Sequence, residues 1–289
     1  MVLYQCYQPR KLRWFLVLDA VILAVWLICS AAVRAYQPPQ EGVFLPVIMY
    51  HSITENGRGD YQISPSQFED DLRYLKSQGY ETVSAAQLVA YTRNEGTLPA
   101  HPVMLTFDDG FYNNLSTALP LLERYDMCAV VSVVGRYTDE LAEADPHVER
   151  YSYLTWEDVK RLLDSGRIEI GSHTWDLHSN DERAGCSIRA GENVQDYAAM
   201  LRRDLERVQT VCKEKTGCTP TVFAYPYGFI CRESIPVLQE LGFTCTLTCY
   251  EKPNFITRDK RCLYGLSRYN RPPGVCSEDF FTEVLRQER

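Results

Sequence analysis

Two adjacent carboxylates, Asp108 and Asp109, directly follow Val103-Met104-Leu105-Thr106-Phe107, an apolar run that predicts a buried strand. Gly110 comes next and marks an abrupt turn. Carboxylates placed side by side at a strand end repel each other and lose hydration, which a fold has no structural reason to accept. A metal ion would resolve this conflict by binding one carboxylate and leaving the other as a base. The alternative interpretation is a helix N-cap pair, since Asp is favoured at that position.

Two histidines follow a second short strand, Ile168-Glu169-Ile170, within the sequence Gly171-Ser172-His173-Thr174-Trp175-Asp176-Leu177-His178. Their spacing of five residues does not place both on one helical face, but a strand-to-loop turn can bring them together. One Asp and two His form a three-ligand metal site that leaves positions open for water and substrate. The alternative is that His173 and His178 are unrelated surface or core histidines.

Two other strand ends carry groups that could serve the same site. His51 follows the strand predicted from Pro46 to Tyr50. The sequence Phe223-Ala224-Tyr225-Pro226-Tyr227-Gly228 closes another strand, and the backbone N–H of Tyr227 could face a developing oxyanion. Both features also have structural interpretations, a satisfied histidine for the first and a plain turn for the second.

Strand-like and helix-like segments alternate along the rest of the chain. Helices are predicted from Ser64 to Gly79, from Tyr112 to Tyr125, from Thr155 to Gly166, from Gln195 to Lys215 and from Glu233 to Leu241. Further strands are predicted at Ala129–Val134, Thr221–Tyr225, Phe243–Thr248 and Leu263–Leu266. This alternation predicts an α/β fold with a parallel sheet, closed or nearly closed, whose chemistry lies at the carboxyl ends of the strands.

The first 35 residues have the pattern of a cytoplasmic tip followed by a signal anchor. Arg10, Lys11 and Arg13 precede an apolar stretch from Trp14 to Val33, which is near the length of about 20 residues needed to span a bilayer. We therefore expect a transmembrane helix within residues 1–35, a linker over 36–44 and one domain over 45–289. The domain would be anchored to the membrane and extracellular, or secreted if the segment is a cleaved signal peptide.

The net charge of the chain excludes some classes of binding partner. Residues 1–35 contain four basic and one acidic residue, a net charge of +3, so the total of −8 leaves −11 for the remainder. Nucleic acids and anionic lipids are bound through clustered Lys and Arg. We therefore expect no nucleic-acid partner, and a neutral or amino-bearing polymer suits this domain better.

Taken together, the motifs resemble the polysaccharide deacetylase family, carbohydrate esterase family 4, whose domain is called the NodB-homology domain. The sequence TFDDG at 106–110 is similar to its first motif, SHTWDLH at 172–178 to its second and AYPYG at 224–228 to its third. The run PVIMYHS at 46–52 resembles the poly-N-acetylglucosamine deacetylase branch. The resemblance spans roughly residues 43–272 and implies a distorted (β/α) barrel with about seven strands.

The resemblance also implies roles for individual residues. Asp109, His173 and His178 would bind a divalent metal, commonly zinc, and Asp108 would be the general base. Tyr227 would supply its backbone N–H to the oxyanion hole. Two departures are visible: Ala224 stands where the family often has an arginine that tethers the base, and the late Leu-x-His that supplies the general acid is absent. Arg268 would replace the tether.

The general acid would then be His51 or metal-bound water alone. If His51 is the acid, it must be protonated in the working complex, and a carboxylate, Asp108 or Asp176, would be needed to keep it charged. The leading hypothesis is a metal-dependent N-deacetylase acting on N-acetylglucosamine units of an extracellular polymer. The alternatives are a non-catalytic glycan-binding relative, a peptidoglycan deacetylase and an esterase of acetylated xylan.

Overall fold

The computed structural model describes residues 16–26, 42–55, 59–144 and 146–286. The chain divides into two compact units, Met1–Glu41 and Gly42–Arg289. In the first unit, residues 16–26 form a helix (α1) with exposed side chains. Within the described ranges, no helix is both long enough and apolar enough to span a bilayer. The rest of the predicted anchor, including the basic residues before it, lies outside the described residues.

The second unit contains the domain. Its strands are β1 Val43–Leu45, β2 Val47–Tyr50, β3 Ser52–Ile53, β4 Gln62–Ile63, β5 Glu81–Thr82, β6 Pro102–Phe107, β7 Ala129–Val133, β8 Ile168–Ser172, β9 Val222–Ala224, β10 Cys245–Leu247, β11 Asn254–Ile256 and β12 Tyr269–Asn270. Its helices are α2 Pro65–Ser77, α3 Ala85–Thr92, α4 Leu119–Tyr125, α5 Trp156–Asp164, α6 Val194–Thr216, α7 Ser234–Glu240 and α8 Ser277–Leu285.

Seven parallel strands form the main sheet, in the order β10-β9-β8-β7-β6-β2-β12, and β5 pairs with the first residues of β6. Strands β6 and β7 are buried along their whole length, as expected for a parallel sheet covered on both faces. An isolated parallel bridge joins Leu266, just before β12, to Leu247 of β10. The segment from Leu266 to Asn270 therefore pairs with β10 at one edge of the sheet and with β2 at the other. The predicted α/β class with about seven parallel strands is confirmed.

Helix α2 shows how local sequence determines an element. The side chain of Ser64 accepts a hydrogen bond from the backbone N–H of Gln67, and Pro65 occupies the first turn. Phe68, Leu72 and Leu75 recur at helical spacing and are fully buried against the sheet. The helix was predicted from these same signals.

Two segments differ from the prediction. The helix expected from Tyr112 begins with a π-helical turn, Asn114–Ala118, before α4 starts at Leu119. The strand expected over Leu263–Leu266 is wrong, because a 3₁₀ helix ends at Leu263 and Gly265 then turns with a φ of +84°. The N–H of Gly265 donates to Thr246 Oγ1, which fixes this turn against β10. The strand forms instead at Tyr269–Asn270, where it can pair with β2.

Candidate metal and catalytic site

The carboxyl end of β6 holds a buried ion pair. Asp108 is 1% exposed, and Arg268 donates from both terminal nitrogens to its two carboxylate oxygens, each at 2.7 Å. Arg268 Nε also donates to the carbonyl of Thr248 at 2.7 Å. Burial disfavours the charged carboxylate, but the adjacent guanidinium outweighs it, so the pKa of Asp108 lies well below its ordinary value. The contact proposed between Arg268 and the base is therefore present.

Asp109 turns away from its neighbour because its backbone has a φ of +69°, which is uncommon for a residue with a Cβ. Its Oδ1 lies 3.7 Å from His173 Nε2 and 3.2 Å from His178 Nε2. Ligand atoms of these three residues all lie within 4.8 Å of one another. The structure thus brings together the three side chains that were predicted as metal ligands.

Several features of these side chains fit a metal ion. Asp109 Oδ1 is buried and makes no well-aligned hydrogen bond to any described residue, so it faces the space between the histidines. His173 donates from Nδ1 to the carbonyl of Ala224 at 2.8 Å, which leaves the lone pair of Nε2 directed at the same space. Burial lowers the pKa of His173, which favours the neutral imidazole that a metal requires. One carboxylate and two imidazoles are a donor set typical of catalytic zinc sites.

His51 follows β2 and lines the same cavity as Asp108 and Asp109. Burial lowers its pKa despite the nearby charges of Asp108 and Asp109. In the protein without substrate, the two carboxylates therefore do not offset the effect of burial on the pKa of His51. Asp176, the other proposed partner, instead forms an ion pair with Arg136 at 2.5 Å.

Tyr227 lies in a 3₁₀ turn, Pro226–Gly228, directly after β9. Its φ of +58° is strained for a tyrosine, and such strain is concentrated at functional sites. Its ring packs against His178 with the ring centres 4.8 Å apart, and 46% of the residue is exposed. The turn therefore places Tyr227 at the metal-ligand cluster, where its predicted oxyanion role requires it.

A cavity of about 610 Å³ joins these groups. Its lining includes residues that the sequence analysis did not identify: Met49, Gly59, Asp60, Tyr61, Gln62, Phe111, Cys249, Glu251 and Asn270. Met49 could have been found, since it lies in the strand that leads to His51. Tyr61 and Glu251 carry no local signal, because only the fold brings their loops to the rim. The cavity can accept a sugar unit beside the buried carboxylates.

A parallel α/β sheet with a carboxylate, two imidazoles and a buried base at its strand ends is the arrangement of a metal-dependent hydrolase. Residues 95–246 match the family model described as polysaccharide deacetylase. This match covers more than half of the 289 residues. The chain therefore belongs to the polysaccharide deacetylase family, as the motifs indicated.

Individual relatives agree with this assignment. A poly-β-1,6-N-acetyl-D-glucosamine N-deacetylase of Escherichia coli (strain K12) is 26% identical over 268 residues, covering 82% of this chain and 40% of that protein. A protein of the same name from Staphylococcus aureus (strain MSSA476) is 22% identical, covering 89% of this chain and 82% of that protein. The solved structure of IcaB from Ammonifex degensii is 25% identical with a TM-score of 0.69, covering 86% and 98% of the two chains.

The chain spans only 40% of the length of the Escherichia coli relatives that it matches. Nearly the whole of the Ammonifex structure, by contrast, is covered. The shared part is thus the deacetylase fold.

Proposed function

We propose that this protein is a metal-dependent N-deacetylase that removes acetyl groups from N-acetylglucosamine units of a polymer. The observation that carries the proposal is the convergence of Asp109, His173 and His178 beside the buried pair of Asp108 and Arg268 in one cavity. The names of the Escherichia coli and Staphylococcus aureus relatives support a β-1,6-linked polymer as the substrate.

Asp109, His173 and His178 would hold the metal, which would polarise the acetyl carbonyl and lower the pKa of a water molecule; zinc suits this donor set. Asp108 would take a proton from the attacking water molecule. Because Arg268 keeps Asp108 ionised, the base is always available but weak. A weak base is effective only towards an acidic water, so the low pKa of Asp108 is consistent with a metal-dependent reaction.

Two further groups act on the amide. The backbone N–H of Tyr227 would donate to the oxygen on which negative charge develops. The amine is a poor leaving group and needs a proton, for which His51 is the available imidazole in the cavity. Since burial lowers the pKa of His51, the proton that it gives to the amine would be the one that Asp108 has taken from water.

One observation favours a second candidate, a relative that binds glycans without cleaving them. The Leu-x-His that would supply the general acid is absent, and Leu266-Ser267-Arg268 occupies that region. The intact ligand set and the intact base argue against this candidate, because a binding module has no need of a buried ionised carboxylate. Peptidoglycan and acetylated xylan remain alternative substrates.

We further propose that the domain is anchored by the apolar segment between Trp14 and Val33 and works outside the membrane, or is secreted if the segment is cleaved. The support is the sequence pattern of basic residues before a long apolar stretch. Fractionation of cells that express the full chain, followed by protease treatment of intact cells, tests this placement. Protection of the domain in intact cells would contradict it.

Acetate release tests the activity directly. Purified protein is incubated with zinc and a β-1,6-linked N-acetylglucosamine oligomer, and released acetate is measured with and without a chelator. We expect chelator-sensitive acetate release. A parallel panel of peptidoglycan and acetylated xylan distinguishes the substrates, and binding of the oligomer without any acetate release would favour the non-catalytic candidate.

A further inference from the structure

The loop between the two histidine ligands is held by helix α6. Asp204, on that helix, accepts hydrogen bonds from two successive backbone N–H groups of the loop. The N–H of Trp175 donates to Oδ1 at 2.8 Å and the N–H of Asp176 donates to Oδ2 at 2.9 Å. A carboxylate bound by two consecutive amides fixes the direction of the peptide planes as well as their position.

Helix α6 makes a second contact with the same loop. The guanidinium of Arg207, one turn after Asp204, lies 4.0 Å from the centre of the Trp175 ring. Trp175 itself is 3% exposed and belongs to the core, so it does not form a wall of the cavity. Asp204 thus holds the backbone of the loop while Arg207 covers its aromatic side chain.

The conformation of this loop determines where His178 lies. Thr174 has a φ of +73°, and its hydroxyl accepts from the N–H of Leu177 at 3.2 Å. The chain therefore reverses within the five residues that separate His173 from His178. His173 is fixed by the end of β8. His178 has no strand to hold it: its backbone is placed by the loop, and its ring is contacted by the side chains of Tyr137 and Tyr227.

We infer that Asp204 is a positioning residue for metal binding: by holding the amides of Trp175 and Asp176, it places His178 against Asp109 and His173. This inference rests on the proposed metal site. Asp204 lies outside the motifs, 26 residues after His178 in sequence. Its role requires both carboxylate oxygens as acceptors.

The substitution that tests this is Asp204→Asn, which keeps the size of the side chain. An amide offers only one acceptor oxygen, so its NH₂ would face one of the two backbone donors and leave that donor unpaired. The loop would then relax and His178 would leave its place. Substitution of a residue that orients a metal ligand without binding the metal typically weakens metal binding by about 10- to 100-fold.

Glu169 provides a matched control. It is also a buried carboxylate whose Oε2 accepts from two successive amides, those of Ala85 at 2.8 Å and Ala86 at 3.3 Å. It lies on β8, the strand that leads to His173, but four residues before this ligand. Glu169→Gln makes the same acid-to-amide change on this strand without touching the loop between the histidines. Because both amides share Oε2, the Gln oxygen can still accept from both, so the variant controls for the loss of a carboxylate charge.

The experiment measures the affinity of metal-free protein for Zn²⁺ by competition with a chelator, with circular dichroism to confirm folding. We expect Asp204→Asn to raise the dissociation constant about 10- to 100-fold and Glu169→Gln to change it less than about threefold. Equal affinity of Asp204→Asn and the unchanged protein overturns the inference alone. Absence of one-to-one zinc binding by the unchanged protein overturns both the inference and the proposed metal site.

Amide hydrogen exchange of the unchanged, metal-free protein gives a test that does not depend on the variant folding. The amides of Trp175 and Asp176 should exchange slowly, because both are bonded to a largely buried carboxylate. Exchange as fast as that of the exposed loop residue Glu182 would overturn the inference, since Asp204 would then not be holding the loop.

Discussion

The chemistry of the site begins with Asp108, a carboxylate that is ionised although it is buried. The guanidinium that keeps it ionised comes from Arg268, 160 residues later in the chain. Asp109, its neighbour, is directed the other way by a left-handed backbone and faces two imidazoles. Adjacent residues of one type thus acquire different roles, because their surroundings differ.

Removal of the base is the first prediction. Asp108→Asn should retain zinc binding, because Asp109, His173 and His178 are unchanged, but acetate release should fall at least about 100-fold. The measurement is acetate release from the β-1,6-linked N-acetylglucosamine oligomer, with zinc content determined on the same sample. Full activity in this variant would rule out Asp108 as the base.

His51 is the subject of the second prediction. His51→Gln should depress turnover of an amide substrate, whose amine leaves poorly without a proton, and should affect an activated aryl acetate much less. Initial rates on the two substrates, with zinc content as control, give the comparison. An equal loss on both substrates would count against the acid role and would indicate that His51 positions the water or Asp108.

At the scale of elements, the parallel strands set the ligands on one rim and the helices hold the loops between them. Strands β6 and β8 end immediately before Asp108 and His173. Helix α6 is hydrogen-bonded to the loop that leads to His178. The long helix α6 was predicted from its apolar stripe, which explains its packing against the sheet. Its polar contacts with the loop could not be predicted, because Asp204 looks like any acidic residue of an amphipathic helix.

Asp204 also predicts how stability depends on pH. Burial raises the pKa of Asp204 to about 6, from an ordinary value of 3.8, despite the hydrogen bonds that it accepts from two backbone amides. The folded chain therefore holds this proton more tightly than the unfolded chain, and the contribution of Asp204 to stability falls as pH rises through this range. The stability of the unchanged protein relative to Asp204→Asn should fall by about 2 kcal/mol between pH 4.5 and pH 7.

Urea unfolding of both metal-free proteins across that range is the appropriate measurement. The difference between the two proteins is the relevant quantity, because other groups titrate equally in both. A constant difference, or one that grows with pH, would show that folding does not raise the pKa of Asp204.

At the scale of the whole molecule, two buried arginines near the end of the domain connect distant parts of the chain. Arg268 contacts Asp108 at the site, and Arg271 makes a second buried ion pair with Asp71 of α2. Ser277, the first residue of α8, donates to the same Asp71 carboxylate. The segment around β12 therefore links the site, the sheet and the last helix.

Because the proposed ligands converge only in the folded chain, metal binding should stabilise the fold. Zinc at 100 times its dissociation constant should add about 2.7 kcal/mol, which corresponds to a rise in Tm of about 5 to 10 °C for a domain of this size. Thermal unfolding with zinc and with a chelator measures this shift. His178→Ala should lose most of the shift, and an equal rise in that variant would mean that zinc binds elsewhere.

Much of the architecture could be predicted because its signals are local. Ser64 with Pro65 begins α2, Thr155 with Asp158 begins α5, and continuous apolar runs mark β6 and β7. These patterns act within a few residues, so the sequence alone carries them. The short strands β5 and β12 were missed because two residues have no periodicity and depend on a neighbour to pair with.

The sequence by itself determined the family and the proposed ligand set, because TFDDG and SHTWDLH each keep their residues close to one strand end. Only the tertiary structure decided the ionisation of the site. Burial lowers the pKa of His51 although two carboxylates are near, and the Arg268 guanidinium lowers the pKa of Asp108 although it is buried. Desolvation and charge act through space, between residues that the fold brings together, and no spacing along the chain encodes them. The same holds for Asp204, whose carboxylate becomes a partner of the metal-ligand loop only when α6 packs beside β8.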